Sequence, residues 1–249
     1  MHNNLGRTRS SQQPNYLLQT PDTFVRTILP GMKACSAIVH IGPALGAQFT
    51  QYTAEFEAGG ELGGTSAQRF IFVIEGGVEL EVEGKHKQLG ETGYAYLPEG
   101  LNHRVTATVV SRVAVIEKPY QALDAVKAPS MIISSEDAIS SHPLADDPSL
   151  QVKCLLPDEM SFDSAVNTMT YEPGAALSMV EMHVMEHGLL MLEGGGIYRL
   201  GDAWHPVTAG DFIWMGPWCP QWFGAIGKVR AKYLIYKNWN RHPLAIAQR

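Results

Sequence analysis

Cysteine is scarce in this chain. Cys35, Cys154 and Cys219 are odd in number, far apart and in no C-x-x-C pair. That excludes a disulfide framework and a cysteine-rich zinc site, and the three thiols read as free groups in a reducing compartment. Charge is sparse too: only 18% of residues are charged, which leaves no long solvated charge runs. The balance is acidic, −6 at neutral pH with no basic cluster, so neither nucleic acid nor an anionic membrane surface is an expected partner. No run of about 18 apolar residues occurs, and so no membrane span is expected. The opening MHNNLGRTRSSQQPNY carries basic residues with no apolar stretch behind them, unlike a secretory leader. The default expectation is a cytoplasmic protein. Also missing is a sustained 3.6-residue apolar period, so long amphipathic helices are not expected.

What is present is β signal, and it repeats. The 249 residues suffice for one large all-β domain or two small ones with a sizeable core. With a shift of 118 residues, FIFVIEGGVELEVEG (Phe70 to Gly84) lies over GLLMLEGGGIYRLGD (Gly188 to Asp202). The same shift lays YAYLPEGLNH (Tyr94 to His103) over FIWMGPWCPQ (Phe212 to Gln221) without a gap. Two matched blocks at one offset indicate an internal repeat. Segments such as Val78 to Val82 and Phe212 to Met215 are short, apolar or alternating, and bounded by Gly, Asp and Pro. Gly201-Asp202 suits a two-residue hairpin. About six to eight short strands in each half fit an all-β jelly-roll barrel. The expected layout is an N-terminal arm over 1–20, a first barrel over 21–120, a connector over 121–150 and a second barrel over 151–244, with a frayed tail after Leu244.

The second half concentrates the chemistry. Glu181, His183 and His187 fall close together, and Gln221 follows 34 residues after His187. In a strand, residues two apart share a face, which would put Glu181 and His183 on one side, with His187 keeping that parity. A helix would place Glu181 and His183 on nearly opposite faces. Two imidazoles and two oxygen donors with no thiolate suit an octahedral divalent ion such as Mn2+ better than a structural zinc, with two positions left for substrate or water. The bland alternative is a set of core histidines satisfied by backbone carbonyls. At the same shift the first half has Gly63, Thr65, Arg69 and His103, which cannot hold a divalent ion. Near the end, Tyr233-Leu-Ile-Tyr-Lys237 reads as a strand with Tyr233, Ile235 and Lys237 on one face. An inward lysine needs an anion, and a substrate carboxylate would serve; the alternative is a solvent-directed lysine, since VIEK places Lys118 similarly in the first half. Tyr198 has no determined facing.

The spacing Gly174-x6-Glu181-x-His183-x3-His187-x6-Gly194 resembles the first cupin motif, and Gly210-Asp211 to Gln221 the second, with Glu, His and Gln exchanged relative to the usual pattern. Together with TPDTFVRTILPG (Thr20 to Gly31), GPALGA (Gly42 to Ala47) and LIYKNWNRHPL (Leu234 to Leu244), this resembles the (S)-ureidoglycine aminohydrolase family of bicupins over nearly the whole chain. The resemblance implies a manganese enzyme of allantoin and purine degradation, acting on ureidoglycine and releasing ammonia. It implies Glu181, His183, His187 and Gln221 as metal ligands, and Glu181, Gln221, Tyr233 and Lys237 as substrate-binding, with Lys237 also placed in the catalytic set. The first barrel would be a structural or homo-oligomer-forming partner. Two rival readings are another metal-dependent cupin enzyme, an oxygenase or isomerase, and a non-enzymatic ligand-binding cupin.

Overall fold

The computed structural model describes residues 6–242. Calls on residues 1–5 and on the tail from 243 onward lie outside the described residues. The chain divides into two compact units, one comprising Val25–Ser140 with Glu159–Asp163, the other the remaining segments.

The first unit holds β3 (Arg26–Thr27), β4 (Met32–Ile41), β5 (Thr50–Leu62), β6 (Gln68–Glu75), β7 (Gly77–Val82), β8 (Lys85–Gly90), β9 (Gly93–Leu97), β10 (His103–Ala107), β11 (Ser111–Lys118) and β12 (Ile132–Ser135). They form one sheet in the order β12-β9-β6-β11-β5-β10-β7-β8, with β4 added along β5 and β3 along β4. Alternation sets which face turns inward: along β7, GVELEV, the valines and leucine are buried and the glutamates half-exposed. The inward residues include Val73, Val78, Leu80, Val105, Val113 and Val115, a core of branched side chains.

In the second unit, β1 (Ser11–Gln13), β2 (Tyr16–Gln19), β13 (His142–Leu144), β14 (Asp147–Cys154), β15 (Ser164–Tyr171), β16 (His187–Glu193), β19 (Phe212–Met215) and β21 (Ala231–Asn238) form one sheet. A smaller sheet holds β17 (Gly195–Leu200), β18 (Ala203–Thr208) and β20 (Gln221–Ala225). The eight strands β14 to β21 repeat β4 to β11 in chain order, so each half is an eight-stranded jelly roll. Part of the expected arm, β1 and β2, forms a hairpin on β19, pairing Tyr16 with Met215. Arg9 clamps it with two bonds of 2.6 and 2.8 Å to the fully buried Asp211. Of residues 121–150, β12 pairs with β9, while β13 pairs with β14.

The repeated Glu-Gly-Gly has a steric cause. Gly76 and Gly194 both have positive φ, and a Cβ there would come within 2.5 Å of the Val110 carbonyl and 2.3 Å of the Arg230 carbonyl respectively. Only glycine tolerates both the conformation and the crossing backbone. The hairpins confirm the predicted turn at Gly201-Asp202, where Leu200 faces Ala203.

Candidate functional site

The two halves differ most where β5 meets its counterpart. β5 runs on to Leu62, whereas β15 stops at Tyr171. Pro173 follows, and Gly174 has a φ of 90°. A residue without an N–H and a left-handed step end the ladder. The expectation that Glu181, Met182 and His183 form a strand is therefore not met. They lie in an irregular segment pinned at Glu181, whose N–H donates to the Gln221 carbonyl at 2.8 Å and whose carbonyl accepts from the Gln221 N–H at 3.0 Å. The His183 carbonyl accepts from the Trp218 N–H at 2.7 Å. These bonds hold an irregular loop against the start of β20.

His187 opens β16, paired on one side with Met215 and on the other with Lys237. Its Nε2 lies 3.1 Å from Nε2 of His183, with the rings edge to face at 85°. The Gln221 side-chain amide lies 2.8 Å from the same His183 nitrogen. Burial, with His183 and Lys237 nearby, depresses the His187 pKa well below the usual histidine range. The ring is therefore neutral at neutral pH, with a lone pair free for a cation.

Around these groups lies a cavity of about 210 Å³, lined by Glu181, His183, His187, Gln221, Tyr233 and Lys237, among others. All six residues singled out in the sequence thus face one space. Glu181 stands apart from the tight cluster: among the described residues no three His, Cys, Asp or Glu side chains gather closely enough to form a metal cluster. The strand reading of 233–237 holds, with Tyr233, Ile235 and Lys237 all lining the cavity. The Lys237 ammonium sits 4.7 Å over the Trp239 ring and pairs with no carboxylate among the described residues. Its pKa is lowered by burial, against the opposing pull of Cys154, Glu181 and Asp158. Tyr233 shares a 2.7 Å hydrogen bond with Tyr171, and burial holds both phenols in the neutral form.

Do these residues fit a divalent ion? The two Nε2 atoms meet nose to nose, and at most one of them can donate to the other. Ligands at right angles about 2.1 Å from one ion are roughly 3 Å apart, the spacing these atoms show. Turning the Gln221 amide end for end exchanges its nitrogen for its oxygen in the same place. His183 Nδ1 remains a buried atom with no partner. The donor set fits.

Tyr198, whose facing the sequence left undetermined, lines the cavity, as do Asn167, Met169 and Trp239, which the sequence reading missed. For Asn167 a signal existed: an amide in the strand SAVNTMTY at an inward parity.

In the first barrel the equivalent space is filled. The Arg69 guanidinium donates to Glu117 at 2.7 Å, to the Gly63 carbonyl at 2.7 Å and to His103 Nε2 at 2.8 Å. His103 Nδ1 donates to the Leu101 carbonyl at 2.7 Å. The alignment of Lys118 with Lys237 requires correction. Arg69 pairs with Glu117 in the ladder as His187 pairs with Lys237, so Glu117 is the counterpart. The cause is a longer β20–β21 connection, residues 226–230 against 108–110. Lys118 instead forms a buried ion pair of 2.9 Å with Asp163.

Two jelly-roll barrels in one chain, one carrying a histidine pair open to a cavity and the other closed by an arginine, define a bicupin. A cupin-domain family model matches residues 167–236, and a EutQ-like cupin-domain model matches residues 44–120. The chain belongs to the (S)-ureidoglycine aminohydrolase family, a family of enzymes. It is 38% identical over 244 residues to (S)-ureidoglycine aminohydrolase of Arabidopsis thaliana, covering 96% of this chain and 80% of that protein. Its identity to the Escherichia coli (strain K12) enzyme of the same name is 32% over 234 residues, covering 91% and 89%. The crystal structure of protein Ylba from E. coli superposes with a TM-score of 0.84 at 29% identity, covering 96% of this chain and 97% of that one.

Proposed function

We propose that the second barrel hydrolyses (S)-ureidoglycine to (S)-ureidoglycolate and ammonia, with Mn2+ held by His183, His187, Gln221 and Glu181, as a step of allantoin and purine degradation. The observation that carries this reading is the cavity whose walls hold a histidine pair, Gln221 and an ammonium without a carboxylate partner among the described residues. A small anion with further polar groups on one carbon matches that arrangement, and the named relatives act on such a molecule.

In the reaction, the bond from the central carbon to the amine breaks and a bond to water oxygen forms. One of the water's protons goes to the departing amine and the other stays on the new oxygen, so ammonia leaves and a hydroxyl remains. The metal, when bound, supplies Lewis-acid polarisation of a substrate heteroatom. Lys237 and the Tyr233 hydroxyl hold the carboxylate, while Glu181 and Gln221 hydrogen-bond the substrate from the opposite wall. Fixing three substituents of one carbon dictates which face water attacks, and hence the configuration of the product. The enclosed, largely apolar walls strengthen each of these contacts relative to bulk water.

Homo-oligomeric assembly and a cytoplasmic location belong to the same proposal. The three free thiols fit the latter, and the former rests on the family resemblance. The test is ammonia release from freshly prepared (S)-ureidoglycine by the manganese-loaded protein. Turnover well above the spontaneous rate supports the reading, and a rate equal to the buffer blank overturns it.

A further inference from the structure

Asn167 stands out among the residues that line the cavity. It is only 7% exposed, and among the described residues its side chain has no hydrogen-bond partner. Its backbone lies between Cys154 on β14 and Ile235 on β21. On the inward face of β21, Ile235 sits between Tyr233 and Lys237, and across the sheet the same row continues to Leu189 on β16. Asn167 is thus an amide set into an otherwise apolar row, one row from the ammonium of Lys237. Its open side is the cavity, where a ligand can pair with it.

We infer that Asn167 is a specificity-determining residue that reads the ureido group of the substrate. This rests on the ureidoglycine reading of the site and adds a residue and a chemical class to it. A primary amide offers one acceptor and two donors in a plane, and a ureido group offers the complementary pattern, so the two form a paired, two-point contact. Successive rows on one face of a strand are about 6.6–6.8 Å apart. That separation suits a ligand whose carboxylate meets Lys237 and whose ureido group, one carbon away, meets Asn167. The geometry makes Asn167 a recognition group for the planar carbamoyl end, distinct from the groups that hold the carboxylate.

The experiment measures direct binding, by calorimetry on the manganese-loaded protein, of two stable probes: N-carbamoylglycine, which carries both carboxylate and ureido groups, and glycolate, which lacks the ureido group. Asn167→Leu keeps the volume and removes the polar atoms. It should weaken N-carbamoylglycine by about tenfold, leave glycolate within about twofold, and lower kcat/KM for ureidoglycine by a similar tenfold. Its Tm should be unchanged or higher, because an unpaired buried amide has been removed. Asn167→Asp, which keeps one acceptor and loses the donors, should also weaken N-carbamoylglycine selectively. Equal changes for both probes, no change for either, or a fall in Tm with both probes weakened would overturn the inference. Because binding is read without turnover, an inactive wild type would defeat the ureidoglycine reading, whereas an active wild type with an indifferent Asn167→Leu would defeat this inference alone.

Discussion

At the scale of single residues, His187 at the start of β16 and His103 at the start of β10 stand at non-equivalent places in their barrels, and their surroundings give them opposite fates. His103 is saturated, donating to a carbonyl and accepting from Arg69. His187 Nε2 instead faces His183 Nε2 at 3.1 Å on the wall of the cavity. His187→Ala is therefore expected to lower manganese affinity by roughly 10- to 100-fold or more, measured by metal analysis after dialysis against a chelator. His103→Ala should leave metal content unchanged. Lys237→Met removes the charge-assisted contact to the substrate carboxylate and should lower kcat/KM by roughly 10- to 150-fold with metal content intact. Lys237→Arg should rescue poorly, since a planar fork cannot reproduce a point ammonium. Wild-type kinetics in Lys237→Met would contradict the role assigned to that ammonium.

At the scale of elements, the repeat was legible because side-chain alternation and paired glycines are local signals. Gly76 and Gly194 mark the same backbone crossing in both halves, and the two hairpins fall at the predicted shift. Three things were not legible. Pro173 and Gly174 end β15 early, so Glu181 and His183 reach the cavity on a loop held by isolated backbone bonds to β20 and to Trp218; period-two parity cannot describe an irregular segment. The longer β20–β21 connection shifts the register of the last strand, so matching VIEK with LIYK paired the wrong residues. For Asn167 only the inward parity of an amide in SAVNTMTY was legible, and its place beside the cavity comes from the fold alone. The register correction changes an expected phenotype. Lys118 and Asp163 are a buried pair, with Asp163 also accepting from Gln68 and from the Gln121 N–H at 2.8 Å each. Lys118→Met should therefore destabilise the first barrel by about 3–5 kcal/mol, rather than leave it untouched, and a urea titration will measure the loss. Gly194→Ala should cost ~2 kcal/mol or more through the same crossing, seen as a lower Tm.

At the scale of the whole molecule, the two units divide labour: one barrel spends its interior on an Arg69–Glu117–His103 network, the other leaves its interior open. The first barrel also sets an acid limit. His40 is buried against Thr53, and burial, reinforced by Arg112, lowers its pKa from 6.5 to about 3. The unfolded chain binds a proton on His40 between those values and the folded chain does not, so this contribution to stability is full above pH 6.5 and is lost as pH falls toward 3. Each pH unit in that window costs about 1.4 kcal/mol from this group. His40→Gln should flatten the wild-type pH dependence of the urea midpoint there, and an unchanged slope would show that His40 does not titrate on unfolding. For the open barrel, ammonia release from freshly prepared (S)-ureidoglycine, with the configuration of the product determined, bears most directly on what the cavity does. The manganese-loaded protein should release one ammonia per substrate and form (S)-ureidoglycolate, and His187→Ala should fall toward the spontaneous rate. Racemic product at the buffer rate from the wild type, or full stereospecific turnover by His187→Ala, would contradict the assignment of the second barrel as the site of the reaction.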